Sequence, residues 1–190
     1  MSNRTMYQSF VGLLNYLSQC TRPDIAFATS YLARHLKEPR VAHLKKGKKY
    51  LAFLRDSQQK GLLFKPTRLQ QATVEMYVDS SFGNGSKRRS IYGYVIMVNK
   101  SIVADKSKQM AMVTLSSTEA EFCAVALSIR EIKWVMSILQ ETGCEVHLAT
   151  IFSDNQGAIR IMKAEASSGR STLISSYSFS NKPCYLETSR

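Results

Sequence analysis

"MYVDSSFGNG", residues 76–85, places Asp79 at the end of a strand-like run and follows it at once with turn formers. Val74, Met76 and Val78 alternate with polar or amphipathic neighbours, the period-two pattern of a half-buried strand, and the Ser, Gly and Asn cluster beyond them must bend. An aspartate in that position has two readings. It can cap the turn, accepting from the next backbone amides, or it can belong to an acidic site. Other acids have to decide.

Outward from this stretch the pattern is that of an α/β domain. "IYGYVIMV" at 91–98 reads as a second strand, and a third is expected through "MAMVTL" at 110–115, which with the first makes an antiparallel meander. From Ser116 the period changes to that of a long helix, "SSTEAEFCAVALSIREIKWVMSILQETG", with a Ser or Thr N-cap, acids in its first turn and Gly143 near its end. A strand, "VHLATIFSD", and a short helix, "NQGAIRIMKAE", follow. Strands, helix, strand, helix place residues 74–166 in one α/β domain. Residues 167–190 are Ser-rich and aperiodic, and read as an irregular, flexible tail.

Upstream, residues 66–73 around Pro66 read as a linker, and 1–65 as a small helical segment. Tyr7, Phe10, Leu14 and Leu17 form one helical stripe, and Thr21 and Pro23 signal the start of a second helix. In "VAHLKKGKKYLAFLRD", Val41, Leu44, Leu51 and Leu54 make an apolar seam while Lys45, Lys46, Lys48, Lys49 and Arg55 cover much of the rest.

The chain has 190 residues, 44% of them hydrophobic, enough to bury a core. Its net charge of +12 is uneven: residues 1–70 carry 13 Lys or Arg against Asp24, Glu38 and Asp56, whereas 71–190 carry 13 against 11 acids. A polyanion is the natural partner of the basic segment, with the four lysines as its contacts, because each neutralised phosphate releases counterions; solvated lysines are the plain alternative. No apolar run is long enough for a membrane span, and the N-terminus lacks the apolar centre of a secretory signal, so an intracellular protein, cytoplasmic or nuclear, with no membrane partner is expected. Cys20, Cys123, Cys144 and Cys184 are widely spaced, which disfavours a metal knuckle and fits reduced thiols.

Asp154 ends "TIFSD" as Asp79 ends the first strand, and two strand-end acids converge if their strands are neighbours. Glu119 and Glu121 open the long helix but face about 200° apart, so only one can join them, and periodicity leaves both open. Each acid also has a capping role available to it. Clustered carboxylates raise one another's pKa unless a cation compensates, and Mg²⁺ suits hard oxygen ligands.

"YVDSSFG", "RRSIYGYV", "TLSSTEAEF" and "SDNQGAI", in this order, resemble the ribonuclease H domain of copia-type retrotransposon polyproteins. "YQSFVGLLNYLSQCTRPDIAFATSYLARHLKEP" resembles the stretch that follows the reverse-transcriptase active site in them, so residues 1–65 would be connection- or thumb-like. The resemblance implies a ribonuclease H-like mixed sheet with flanking helices, and two-metal hydrolysis of the RNA strand of an RNA–DNA hybrid. Asp79, Glu121 and Asp154 would be the catalytic metal ligands, with Glu119 as fallback for Glu121, and Mg²⁺ or Mn²⁺ the ion. Ser117, Thr118, Asn155 and Gln156 would contact the hybrid, including its 2′-hydroxyls, with capping an equal alternative. The remainder of a Pol polyprotein would be a partner. The family's fourth acid, in a segment reading Thr-Lys-His-Ile-Asp, has no counterpart in "GRSTLISSYSFSN"; Phe82 replaces a tryptophan, and "VADKSKQ" a more usual Ser-Trp-Ser-Ser-Lys-Lys-Gln. The fingers and palm have no counterpart in this sequence, so polymerisation is not expected of it, and a catalytically inactive nucleic-acid-binding remnant is the alternative.

Overall fold

A computed structural model describes residues 3–64, 71–146, 149–167 and 177–181. The chain divides into two compact units, Met1–Leu63 with Asp105–Lys108, and Phe64–Ala104 with Gln109–Arg190.

The first unit is helical: α1 (Asn3–Cys20), a 3-10 turn at Pro23–Ile25, α2 (Ala26–Ala33) and α3 (Val41–Asp56). Pro23 suits the start of its turn because its φ is already set and its missing amide needs no partner there. Tyr7, Val11, Leu14, Ile25 and Leu32 form the core, with Phe10, Leu44, Tyr50 and Leu54 packed on it. The Tyr7 hydroxyl donates to the Leu32 carbonyl at 2.9 Å, so a buried phenol is satisfied. Arg22 ties the end of α1 to the end of α3, donating to both Asp24 carboxylate oxygens and to Ser57.

The expected seam of α3 is half wrong. Leu44 and Leu54 pack inward, but Val41 and Leu51 are exposed, and His43 and Gly47 are buried in their stead. A Cβ on residue 47 would lie 2.5 Å from the Phe10 ring, so the glycine is what lets α1 and α3 approach. Hydrophobic periodicity does not count a glycine as core, and the helix is turned accordingly. On α1, Leu17 is likewise at the rim, while Val11 is buried.

The second unit is built on a five-stranded sheet. β1 (Val74–Ser81), β2 (Ile91–Val98), β3 (Ser101–Gln109), β4 (Ala149–Ser153) and β5 (Tyr177–Asn181) lie in the order β3-β2-β1-β4-β5, with α4 (Ser117–Glu141) between β3 and β4 and α5 (Gln156–Ser167) between β4 and β5. β1 pairs antiparallel with β2 and parallel with β4, and β4 parallel with β5. This is the ribonuclease H-like mixed sheet with flanking helices that the resemblance implied. Val74, Met76, Val78, Tyr94, Ile96 and Ile151 bury one sheet face against Ala124, Val125, Ile129 and Ile132 of α4 and Ile159 and Met162 of α5.

Two expectations change here. The third strand is Ser101–Gln109, not 110–115. Asn99 and Lys100 both have positive φ, the conformation of a two-residue hairpin turn, so the chain reverses at once and pairing starts at Ser101. That strand is polar because it is an edge, and the apolar "MAMVTL" instead leaves Met112, Val113 and Leu115 exposed with only Met110 and Thr114 buried. In the segment read as an irregular tail, Tyr177–Asn181 forms β5, with Tyr177 and Phe179 buried. Its serines alternate with aromatics, a period-two signal hidden by composition. The greater part of the expected linker, residues 66–70, lies outside the described residues. Cys20, Cys123 and Cys144 are free thiols, and no helix among the described residues is long and apolar enough to cross a membrane.

Candidate metal centre

Register brings the two strand-end acids together. β1 and β4 pair Val74 with Ala149 through Tyr77 with Phe152, so two residues further on Asp79 comes level with Asp154 on the neighbouring strand, about 5 Å away. Glu121 approaches from the first turns of α4, between Ala120 and Ala124, both fully buried. Carboxylate oxygens of Asp79, Glu121 and Asp154 all lie within 4.8 Å of one another, with the two aspartates exposed and Glu121 buried.

Glu119 does something else. Its Oε2 accepts from the Leu115 amide at 2.6 Å, and its own amide donates to the Ser116 side chain at 3.1 Å. This is a reciprocal cap on the N-terminus of α4, close to the S-x-x-E pattern. The turn of the helix then carries Glu121 to the opposite side, toward the sheet.

Ser80 fixes Glu121. Its amide donates to Glu121 Oε1 at 2.9 Å and its hydroxyl to the same oxygen at 2.6 Å. Oε2 of Glu121 is buried with no partner among the described residues. A buried carboxylate oxygen left open beside two further carboxylates is costly unless something positive completes it, so the three residues fit a divalent cation. The protonation behaviour has the same origin. Burial pushes Glu121 up to about 7, helped by the charges of Asp79 and Asp154 and opposed by the two Ser80 bonds. Burial also raises Asp79, with the Asp154 charge adding to it. The arrangement can hold a cation at the open end of the sheet beside water.

Ser80 escaped sequence reasoning because it stood in what read as a turn. The available signal was its parity: it is the next member of the Val74, Met76, Val78 series and so faces the buried side.

The other candidates are placed as follows. Asn155 caps α5, its Oδ1 accepting from the Ala158 amide at 2.9 Å. Thr118 lies against Gly157: a Cβ there would meet Asn155 Oδ1 at 3.1 Å and Thr118 Cγ2 at 3.2 Å, so the N-terminal turns of α4 and α5 meet where residue 157 has no side chain. Ser117 and Gln156 open those helices and are exposed. Lys45, Lys46, Lys48 and Lys49 are all exposed on α3, in the first unit.

No family model matches the chain. It is 33% identical over 158 residues to the Retrovirus-related Pol polyprotein from transposon TNT 1-94 of Nicotiana tabacum, a match covering 83% of this chain and 12% of that protein. It is 36% identical over 130 residues to Secreted RxLR effector protein 161 of Plasmopara viticola, covering 68% of this chain and 90% of that one. The chain therefore spans only a small part of the Pol polyprotein. Among solved structures, the foamy viral protease-reverse transcriptase in complex with dsDNA gives a TM-score of 0.41 at 16% identity, over 65% of this chain and 89% of that one, a likeness too distant to carry weight.

Proposed function

The chain belongs to the copia-type retrotransposon Pol polyprotein family, and from that premise we propose that its second unit is a ribonuclease H-like domain hydrolysing the RNA strand of RNA–DNA hybrids. The observation that supports this reading is the meeting of Asp79, Glu121 and Asp154 within 4.8 Å, with a Glu121 oxygen left open. These three would hold Mg²⁺, or Mn²⁺ in its place. Such ions, when bound, activate a water for attack on the phosphodiester and offset charge on the leaving oxygen.

The chain's own residues do the rest. Ser80 holds Glu121 by one oxygen and keeps the other turned free. Ser117, Thr118 and Gln156, with the Asn155 amide NH₂ that its cap leaves unused, lie at the two helix starts flanking the acids and would contact the 2′-hydroxyls that distinguish RNA from DNA. Lys45, Lys46, Lys48 and Lys49 would hold backbone phosphates. In this reading residues 1–65 are a connection- or thumb-like segment, 66–73 a linker, and the rest of a Pol polyprotein the natural neighbour.

A second reading, a catalytically inactive nucleic-acid-binding remnant, is favoured by one observation: after Asp154 the only acids are Glu165 and Glu187, so a fourth carboxylate in the family's segment is missing. Single-turnover cleavage of a labelled hybrid in Mg²⁺ and in Mn²⁺, with Asp79→Asn as blank, decides between them. Cleavage above the blank supports the nuclease. Hybrid binding without cleavage supports the remnant. If the defect lies in the missing acid, replacing residues 171–175 with Thr-Lys-His-Ile-Asp, followed by the helix the family has there, raises the rate and leaves binding unchanged.

A further inference from the structure

The connection from β3 into α4 is tied to the sheet through Ser90. Of residues 110–115 only Met110 and Thr114 are buried, and both bond to that serine. The Met110 amide donates to the Ser90 carbonyl at 2.8 Å, and the Ser90 and Thr114 hydroxyls share a hydrogen bond at 2.6 Å. The Ser90 hydroxyl also accepts from the Gly83 amide at 3.2 Å, in the turn that follows β1. Ser90 is 0% exposed and Thr114 2%, so neither hydroxyl can trade its partner for water, and a buried hydroxyl left without one is costly. The pair is a fixed joint.

Its place gives it a consequence for the acids. Ile91 pairs with Ser81 and Gly93 with Asp79, so Ser90 stands just past the end of β1, about 10 Å along β2 from the level of Asp79. Thr114 stands two residues before Ser116, the N-cap of α4, and Glu121 follows that cap by five residues, about 7.5 Å along the helix axis. Beside Glu121 the buried residues of α4 are Ala120 and Ala124, whose methyl groups are too short to interlock with a neighbour and stop the helix from sliding. Ser80 grips one Glu121 oxygen at the tip of a flexible side chain, which fixes that oxygen and leaves the helix backbone free to shift. The joint at the helix entry holds the backbone itself.

We propose that Ser90 and Thr114 are positioning residues of the acidic site: their hydroxyl pair sets the height of the first turns of α4 against the sheet, and with it the place at which Glu121 meets Asp79 and Asp154. The inference rests on reading the three acids as a cation site. Such a site needs its ligands held to about 0.5 Å, a tighter tolerance than folding requires, so the joint acts on metal binding before it acts on the fold. Ser90 and Thr114 lie in "RRSIYGYV" and "TLSSTEAEF", and 24 positions separate them, so only the fold pairs them.

The test uses the full chain and the near-isosteric Thr114→Val, with Thr114→Ser as the conservative change that keeps the hydroxyl. Mn²⁺ affinity is read by titration calorimetry. In the metal-free protein, hydrogen exchange is followed at the Ser80 amide, which bonds to Glu121, and at Ile96 and Ile151 in the core. Thr114→Val should weaken Mn²⁺ binding by about tenfold, the lower end of what losing a partner behind the ligands costs. It should also speed Ser80 exchange by about tenfold and leave Ile96 and Ile151 as they were, and Thr114→Ser should restore both readings. Ser90→Ala should match Thr114→Val, and the double variant should add little to either. Equal acceleration at all three amides would reduce the pair to overall stability. Mn²⁺ bound equally by parent and Thr114→Val would sink the positioning role and leave the metal reading intact. A parent chain that binds no Mn²⁺ while Ser80 exchange still answers to Thr114→Val would keep the joint and remove the metal reading. If Ser90→Ala fails to fold, Thr114→Val and Thr114→Ser decide by the same criteria.

Discussion

The acidic triad and the cationic cluster are both crowds of like charge, assembled by opposite means. At the triad, backbone register and one helical turn deliver three short side chains, and a single serine clamps the buried member. At the cluster, in the first unit, the long side chains of Arg34 and Lys46 are gathered over the Tyr31 ring beside the stacked imidazoles of His35 and His43. Short carboxylates on strand ends are positioned by the fold itself, so their geometry is stiff and suits an ion with fixed coordination distances. Long cations on a ring tolerate displacement, so their geometry is loose.

The sharpest break of this contrast is at the triad. Asp79→Asn should lower single-turnover hybrid cleavage by about 10³-fold or more, roughly 4 kcal/mol of barrier, while a 1 kcal/mol relief of repulsion raises the metal-free melting temperature by about 2–4 °C. The added stabilisation from Mg²⁺ should vanish in the same variant. Destabilisation with the metal response intact would return Asp79 to the role of a turn cap.

Neutralising Lys45, Lys46, Lys48 and Lys49 together should flatten the salt dependence of duplex binding by up to about four phosphate contacts, some 3.6 in the log–log slope. An unchanged slope would mean that these lysines are only solvated.

The two crowds should also respond oppositely to pH without metal. Glu121 sits raised to about 7, so its share of stability is full below about pH 4.5 and is lost as pH rises through 7. His35 and His43 are lowered from 6.5, so theirs is present above pH 6.5 and is lost on acidification. Melting curves of Glu121→Gln and of His35→Gln across pH 5–8 separate the two: the first should remove the loss on the alkaline side and the second should soften the loss on the acid side. Identical profiles would show that neither group feels its neighbours.

The smallest effect is at the clamp. Ser80→Ala removes the hydroxyl bond to Glu121 and keeps the amide bond, at a cost of about 1–2 kcal/mol, with a weaker Mg²⁺ response. Ser80→Thr, which restores a hydroxyl on a strand, should recover that response.

What the sequence determined by itself was whatever local period and short-range chemistry control. The Val74, Met76, Val78 alternation marked β1, the change of period at Ser116 marked α4, and "TIFSD" marked β4, with Asp79 near the end of its strand and Asp154 just past the end of the other. That two such acids share a site follows once their strands are adjacent, and adjacency is a property of pairing. Only the tertiary structure chose Glu121 over Glu119 for the triad, because both sit in the first turns of one helix and the choice depends on how α4 is turned against the sheet. It likewise made Gly47 core-facing, by the packing of Phe10, moved the third strand to Ser101–Gln109, by a turn whose two residues take positive φ without glycine, and drew β5 from a Ser-rich segment by pairing it with β4. The Tyr31 cluster was invisible for the same reason. Its residues lie up to 15 positions apart on α2, the following turn and α3, and no period relates them; only the packing of that unit puts two cations over one ring.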